Sequence, residues 1–116
     1  MTVYVIAQLK MTDRAAYDRY QARFFDVFRK FSGRLLCADE NPEVMEGAWD
    51  RDKLVLMSFP DEAAYRAFAD SPEYQDISRD RKAGARAIVL LAKGFVPGAT
   101  SPAPRTKAES EKERHR

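Results

Sequence analysis

Two stretches of this chain, 48 residues apart, open a helix in the same way, and each follows a segment with strand periodicity. Asp13-Arg14-Ala15-Ala16-Tyr17-Asp18-Arg19-Tyr20 is echoed by Asp61-Glu62-Ala63-Ala64-Tyr65-Arg66-Ala67-Phe68. In both copies an aspartate offers the oxygen that caps the orphan N–H groups of a first helical turn, and an Ala-Tyr pair and a second aromatic follow in the same places. Ahead of the first copy, residues 2–11 alternate, with Val3, Val5, Ala7 and Leu9 on one side and Tyr4, Ile6, Gln8 and Lys10 on the other. Ahead of the second, residues 53–59 set Leu54 and Leu56 against Val55, Met57 and Phe59. Alternation with period two, rich in β-branched residues, reads as strand.

The remaining segments complete the order. Ala16, Tyr20, Phe24, Val27, Phe28 and Phe31 recur at three- and four-residue steps, a single apolar helical stripe. Gly33 is placed to close that helix as the residue beyond its C-cap. Residues 34–38 make a short strand, and residues 39–43, aperiodic and holding Pro42, make a turn. Ser71-Pro72-Glu73 supplies a cap, a proline at the first helical position and an acid in the first turn, so a third helix runs to about residue 83. Residues 86–95 form the last strand, with Ile88, Val89, Leu90 and Leu91 consecutively apolar. The second strand–helix unit contains a short helix followed by this third one, so the order condenses to βαββαβ. That order predicts an α+β, ferredoxin-like fold: a four-stranded antiparallel sheet with helices on one face.

A monomer of that design has helices for one sheet face only. The third and fourth strands are nonetheless apolar on both faces, which implies a cover for the second, and a second copy of the chain is the simplest one. A homodimer with sheets packed face to face is therefore expected.

Composition removes several classes of function. Residues 1–96 hold 15 Lys/Arg and 15 Asp/Glu, so the net charge of +2 resides in residues 97–116, and no nucleic acid partner is expected of a neutral body. The two parts read as one domain over 1–96 and a charged, Pro-containing, disordered C-terminal tail over 97–116. No apolar run reaches membrane-spanning length and the first residues lack the pattern of a signal peptide, so no membrane association and a cytoplasmic location are expected. Cys37 is the single cysteine and reads as a buried small hydrophobe; His115, the single histidine, lies in the tail. The body therefore has no Ser-His or Cys-His pair and no multi-cysteine or histidine metal site, and neither metal nor cofactor is expected.

Gly33-Arg34, Glu46-Gly47-Ala48-Trp49, Phe59-Pro60, Ser71-Pro72-Glu73-Tyr74-Gln75 and Arg81, at these spacings, resemble the domain of unknown function 1330 family of the dimeric α+β barrel superfamily. The resemblance spans about residues 2–95 and implies the ferredoxin-like fold, a face-to-face dimer and a cavity between sheet and helices. It implies no activity. Superfamily relatives include haem enzymes and cofactor-free monooxygenases, and a proximal histidine for haem is missing here. The chain departs from the family pattern at Ser32-Gly33, Cys37, Asp61 and Phe68; the lack of an arginine near Cys37 weakens any anion-binding role taken from relatives at that point.

Five residues are candidates for a site. Glu46 precedes a glycine and stands near Trp49; a carboxylate partly desolvated there would gain a raised pKa and the capacity of a general base. Tyr74 and Arg81, seven residues apart on the third helix, share a face and are able to hold a carboxylate or polarise a carbonyl. Tyr20 and Trp49 complete the expected lining. Read as a site, these residues bind a small organic molecule or form a cofactor-free enzyme. Read structurally, the same residues fill the interior of an interaction dimer, with Arg81 paired to Asp76, Asp80 or Glu46.

Overall fold

A computed structural model describes residues 1–97. Its elements are β1 (Val3–Met11), α1 (Arg14–Phe28), β2 (Arg34–Asp39), β3 (Lys53–Phe59), α2 (Glu62–Ala69), α3 (Pro72–Gly84) and β4 (Ala85–Lys93). All pairings are antiparallel and the sheet order is β2-β3-β1-β4, which is the ferredoxin-like arrangement. The reading of residues 97–116 as a tail falls, beyond residue 97, outside the described residues.

The caps are those the sequence announces. Asp13 accepts from the Ala16 N–H at 3.3 Å, Asp61 from Ala64 at 2.8 Å, and Ser71 from Tyr74 at 3.1 Å. Each satisfies an N–H that has no partner within its helix. Pro72 then occupies the first turn of α3, where its missing N–H costs nothing.

Register divides the side chains between two faces. Val3, Val5, Ala7 and Leu9 of β1 lie beside Phe59, Met57, Val55 and Lys53 of β3 on the helix side. Tyr4, Ile6 and Gln8 lie beside Ser58, Leu56 and Leu54 on the open side. On the helix side, the rings of Phe28 and Phe68 meet edge to face at 5.3 Å between centroids, and Phe59 stacks on Phe68 at 5.7 Å. All three are buried, and rings of this size dominate core energetics.

Two expectations are corrected. Helix α1 ends at Phe28 with Arg29 as its C-cap, and Gly33 lacks the positive φ of a helix-closing glycine. Its glycine is a packing requirement instead: a Cβ there would stand 2.5 Å from Phe59 Cε2 and 2.8 Å from Phe28 Cε1. Cys37 is only half-buried, because it faces the open side beside Leu56 where β2 shifts register between Leu35 and Cys37.

Helices α1 and α3 cross most tightly at Gly84. A Cβ there would collide with the Tyr17 backbone nitrogen and lie 2.8 Å from the Asp13 carbonyl oxygen. The Gly84 carbonyl meanwhile accepts from the Thr12 and Asp13 N–H groups at 2.9 and 3.0 Å. Backbone against backbone cannot yield as a side chain does. Gly84→Ala is expected to cost about 2–4 kcal/mol, measured by urea unfolding, while an alanine at exposed, unstrained Ala63's neighbour Glu62 changes stability by less than about 1 kcal/mol.

Candidate functional site

Alternation along the strands and the aromatic stripe of α1 leave a hollow between sheet and helices. Beside the Phe28–Phe59–Phe68 cluster lies a cavity of about 210 Å³, floored by Val5, Ala7, Leu9 and Val55. Four tyrosines enter its wall, Tyr17 and Tyr20 from α1, Tyr65 from α2 and Tyr74 from α3, together with one cation, Arg81 of α3. Among the described residues, no carboxylate and no imidazole lines it.

The polar groups of this wall are unequally satisfied. The Tyr20 and Tyr74 hydroxyls lie 3.0 Å apart and share a hydrogen bond. The Nε of Arg81 is buried and has no hydrogen-bond partner. Its neighbours on α3 explain why. Asp76 accepts from Arg23 at 3.0 Å and also from Arg79, and Asp80 accepts from Arg19 at 3.3 Å. Asp80 and Asp76 stand one and five positions before Arg81, off its face of the helix, and Arg81 has no ion-pair partner among the described residues.

Burial sets the tyrosines' protonation. It pushes the Tyr17 hydroxyl up to about 12, aided by the Glu40 charge and opposed by Arg81. Tyr20 rises well above its usual value for the same first cause, with the neighbouring Tyr74 adding to it, and Tyr65 rises too. These phenols are neutral hydrogen-bonding groups at physiological pH and not bases.

A second cavity, about 420 Å³, opens on the other flank of α1, against β2 and β3. It shares Tyr17, Tyr20, Phe24 and Val55 with the first and adds Lys53, Gln21 and Glu40. Glu40 takes a two-pronged grip from Arg14, at 2.9 and 2.8 Å, which holds its carboxyl below the usual range.

The structure brings Tyr20, Tyr74 and Arg81 together at one cavity and leaves Glu46 and Trp49 elsewhere. Glu46 is an exposed residue of the β2–β3 connection with no ion-pair partner among the described residues. Trp49 donates its indole N–H to Gln8 Oε1 at 3.1 Å. Gln8 points to the open side of the sheet, so the connection runs over that side, with the sheet between it and the cavity. Gly47, at φ +87°, serves the turn in this connection and has nothing near its missing Cβ. Two wall residues, Tyr17 of both cavities and Lys53 of the second, are not among the five candidates. Their positions in the pattern carry the clue: Tyr17 precedes Tyr20 by three on the buried stripe, and Lys53 is the one charged residue at an inward register position of β3.

The fold and its internal hollow define a ferredoxin-like α+β protein with a cavity between one sheet face and its helices. More particularly, the chain belongs to the domain of unknown function family DUF1330, whose model matches residues 2–95. No curated protein matches it. Among solved structures, a protein of unknown function from Rhodopseudomonas palustris, RPA0582, is similar at 17% identity and TM-score 0.70, over 83% of this chain and 84% of that one. A dimeric ferredoxin-like protein of unknown function from Jannaschia sp. CCS1 is similar at 18% identity and TM-score 0.63, over 81% of this chain and 100% of that one. SnoaB, a cofactor-independent oxygenase from Streptomyces nogalater, is similar at 16% identity and TM-score 0.59, over 88% of this chain and 98% of that one. At these identities the likeness is one of fold. No helix among the described residues is long and apolar enough to cross a membrane.

The tyrosine wall has a consequence for stability in alkali. Between the ordinary tyrosine value and about 12, the folded chain keeps the Tyr17 proton that the unfolded chain has lost, so stability falls as pH rises through that window. Tyr17→Phe is expected to remove about 1 kcal/mol of the loss seen at about pH 11 and none at about pH 8, checked by urea unfolding at both values.

Proposed function

We propose that the chain binds a small organic anion with an apolar body in the cavity lined by Tyr20, Tyr74 and Arg81, and does so as a homodimer. The observation that carries the reading is the buried Arg81 Nε with no partner. An unsatisfied buried donor costs about 1–3 kcal/mol, more for a charged group, and folding offers it no acid. A carboxylate, phenolate or enolate entering the cavity would supply the missing acceptor with charge-assisted geometry. Aromatic and aliphatic walls suit a ring, and about 210 Å³, below the roughly 300–1,000 Å³ of pockets for drug-sized ligands, confines the occupant to a single small one.

Chemistry follows the same logic. A guanidinium in an apolar cavity favours the anionic form of an acidic substrate. That is what a cofactor-free reaction on an enol or phenol needs, and SnoaB, a structural neighbour, is named as a cofactor-independent oxygenase. The wall supplies no base of its own, so the arrangement supports binding more strongly than turnover. Glu46 has no place in this reading, since it lies off the cavity.

The open sheet face supports the dimer. Cys37, Leu56, Ile6 and Leu90 sit side by side across all four strands, flanked by Leu54 and Ile88. Ile88 is 41% exposed, Leu90 51% and Leu36 45%, a contiguous apolar surface of the kind that marks an interaction site. A second copy laid sheet to sheet covers it with the same residues.

Each half of the reading has its own test. Benzoate, salicylate or 4-hydroxybenzoate at saturation is expected to raise the melting temperature by at least about 4 °C. Arg81→Met is expected to abolish that shift while its own melting temperature stays within about 4 °C of the parent, because the arginine has no ion-pair partner among the described residues. Were Arg81 a structural ion-pair member, the same change would destabilise by about 3–5 kcal/mol and unfold most of the protein. For assembly, Leu90→Glu is expected to weaken the dimer at least about 100-fold in sedimentation equilibrium without loss of helical circular dichroism; a parent protein that sediments as a monomer at micromolar concentration contradicts the dimer.

A further inference from the structure

The second cavity is built around an amine that the binding site just described does not use. Lys53 sits at an inward register position, beside Leu9, and its side chain is only 6% exposed. Its Nζ donates to Gln21 Oε1 at 3.0 Å, a neutral acceptor, and lies 4.9 Å from the centre of the Tyr17 ring. Glu40 Oε2 is 3.7 Å away, outside hydrogen-bond reach, and is already gripped by Arg14. A lysine ammonium has three N–H donors. Here one donates to a neutral oxygen, and the nearest acid, Glu40, makes a longer ion pair that it shares with Arg14. The charged form thus has a shared carboxylate and the Tyr17 ring on its side, and burial against it. Desolvation accordingly lowers the Lys53 pKa, with Arg14 lowering it further and Glu40 and Asp18 opposing.

Gln21, Glu40 and Tyr17, the three groups around Nζ, all line the same cavity of about 420 Å³, so the amine stands at its wall. Phe24, Phe25, Leu35 and Val55 make the rest of that cavity apolar. An amine of this kind, desolvated beside an apolar hollow, is the setting in which lysine acts as a nucleophile. The Glu40 carboxylate on the same wall repels an anion, so the fitting partner is a neutral electrophile.

We propose that Lys53 captures a small hydrophobic aldehyde or ketone in this second cavity as a reversible imine. The Nζ lone pair forms a bond to the carbonyl carbon, the carbonyl π pair moves to oxygen, and that oxygen takes up a proton as the nitrogen releases one. The resulting carbinolamine loses its hydroxyl, with a proton, as water, leaving the C=N bond. One water leaves, nothing is oxidised or reduced, and protons exchange with solvent at the mouth. The product is favoured here when it carries its proton, since the iminium faces the Tyr17 ring and the Glu40 charge.

The test uses the full chain, benzaldehyde as the probe and cyanoborohydride to fix the imine, with modified lysines located by peptide mass mapping. The chain has seven lysines, so exposed Lys30 and Lys82 serve as internal references. At about pH 7, Lys53 is expected to be modified at least about ten-fold faster than either. Its rate should also reach half its plateau at a lower pH than theirs. Lys53→Arg is expected to remove the fast adduct and leave the slow ones; if that variant does not fold, the mapping and pH profile of the parent decide alone. Modification of Lys53 no faster than Lys30 and Lys82 overturns the proposal, as does an unmodified Lys53 in a folded protein whose other lysines react.

Discussion

The seam between α1 and α3 is the constraint on which the rest of the molecule depends. It is pinned at one end where the Gly84 backbone meets that of Tyr17, and it is stitched along its length by Arg19 to Asp80, Arg23 to Asp76 and the Tyr20–Tyr74 hydroxyl pair. The ion pairs are exposed, and exposed pairs of this sort contribute about 0–1 kcal/mol each. Their larger effect is on who pairs with whom. Asp76 and Asp80 lie on the seam side of α3 and pair with α1, while Arg81, on another face of the helix, lines the apolar hollow with its Nε unmatched.

That arrangement links stability to function. A core filled to the last methyl would be more stable, and a guanidinium with a buried acid would be more comfortable. The sheet and helices do neither. The Phe28, Phe59 and Phe68 rings supply close packing next to the hollow, and Gly33 is kept free of a side chain so that two of them fit. The hollow lies beside this closely packed aromatic cluster, and on its wall the Arg81 Nε has no hydrogen-bond partner among the described residues. On the far flank of α1, Lys53 is buried with one neutral hydrogen bond and a 3.7 Å ion pair to a carboxylate that Arg14 holds more closely.

Much of the fold was legible in the sequence because it rests on local rules. Asp13, Asp61 and Ser71 announce three helix starts, and the alternation of residues 2–11 and 53–59 assigns every side chain of β1 and β3 to a face. The helical spacing of Tyr74 and Arg81 likewise put both on one wall. What failed had a tertiary cause. Gly33 resembles a helix-closing glycine, yet its smallness answers to two phenylalanines distant in sequence. Glu46 and Trp49 sit in a connection without periodicity, so nothing local says on which side of the sheet it passes; the bond from Trp49 to Gln8 decides that. Lys53 was legible in principle, since the alternation that turns Val55 and Met57 inward turns the lysine inward as well.

The proposed ligand site turns on one atom, the Arg81 Nε, and its resonance is the measurement to make. In a ¹⁵N–¹H spectrum of the arginine side chains, with Arg81 assigned by loss of its peak in Arg81→Met, titration with salicylate should move the Arg81 Nε–H signal downfield to saturation while the arginines of the α1–α3 seam stay in place. A signal that does not move, or one that shifts no more than those of Arg19 and Arg23, would contradict the view that this guanidinium is held in the cavity for a ligand.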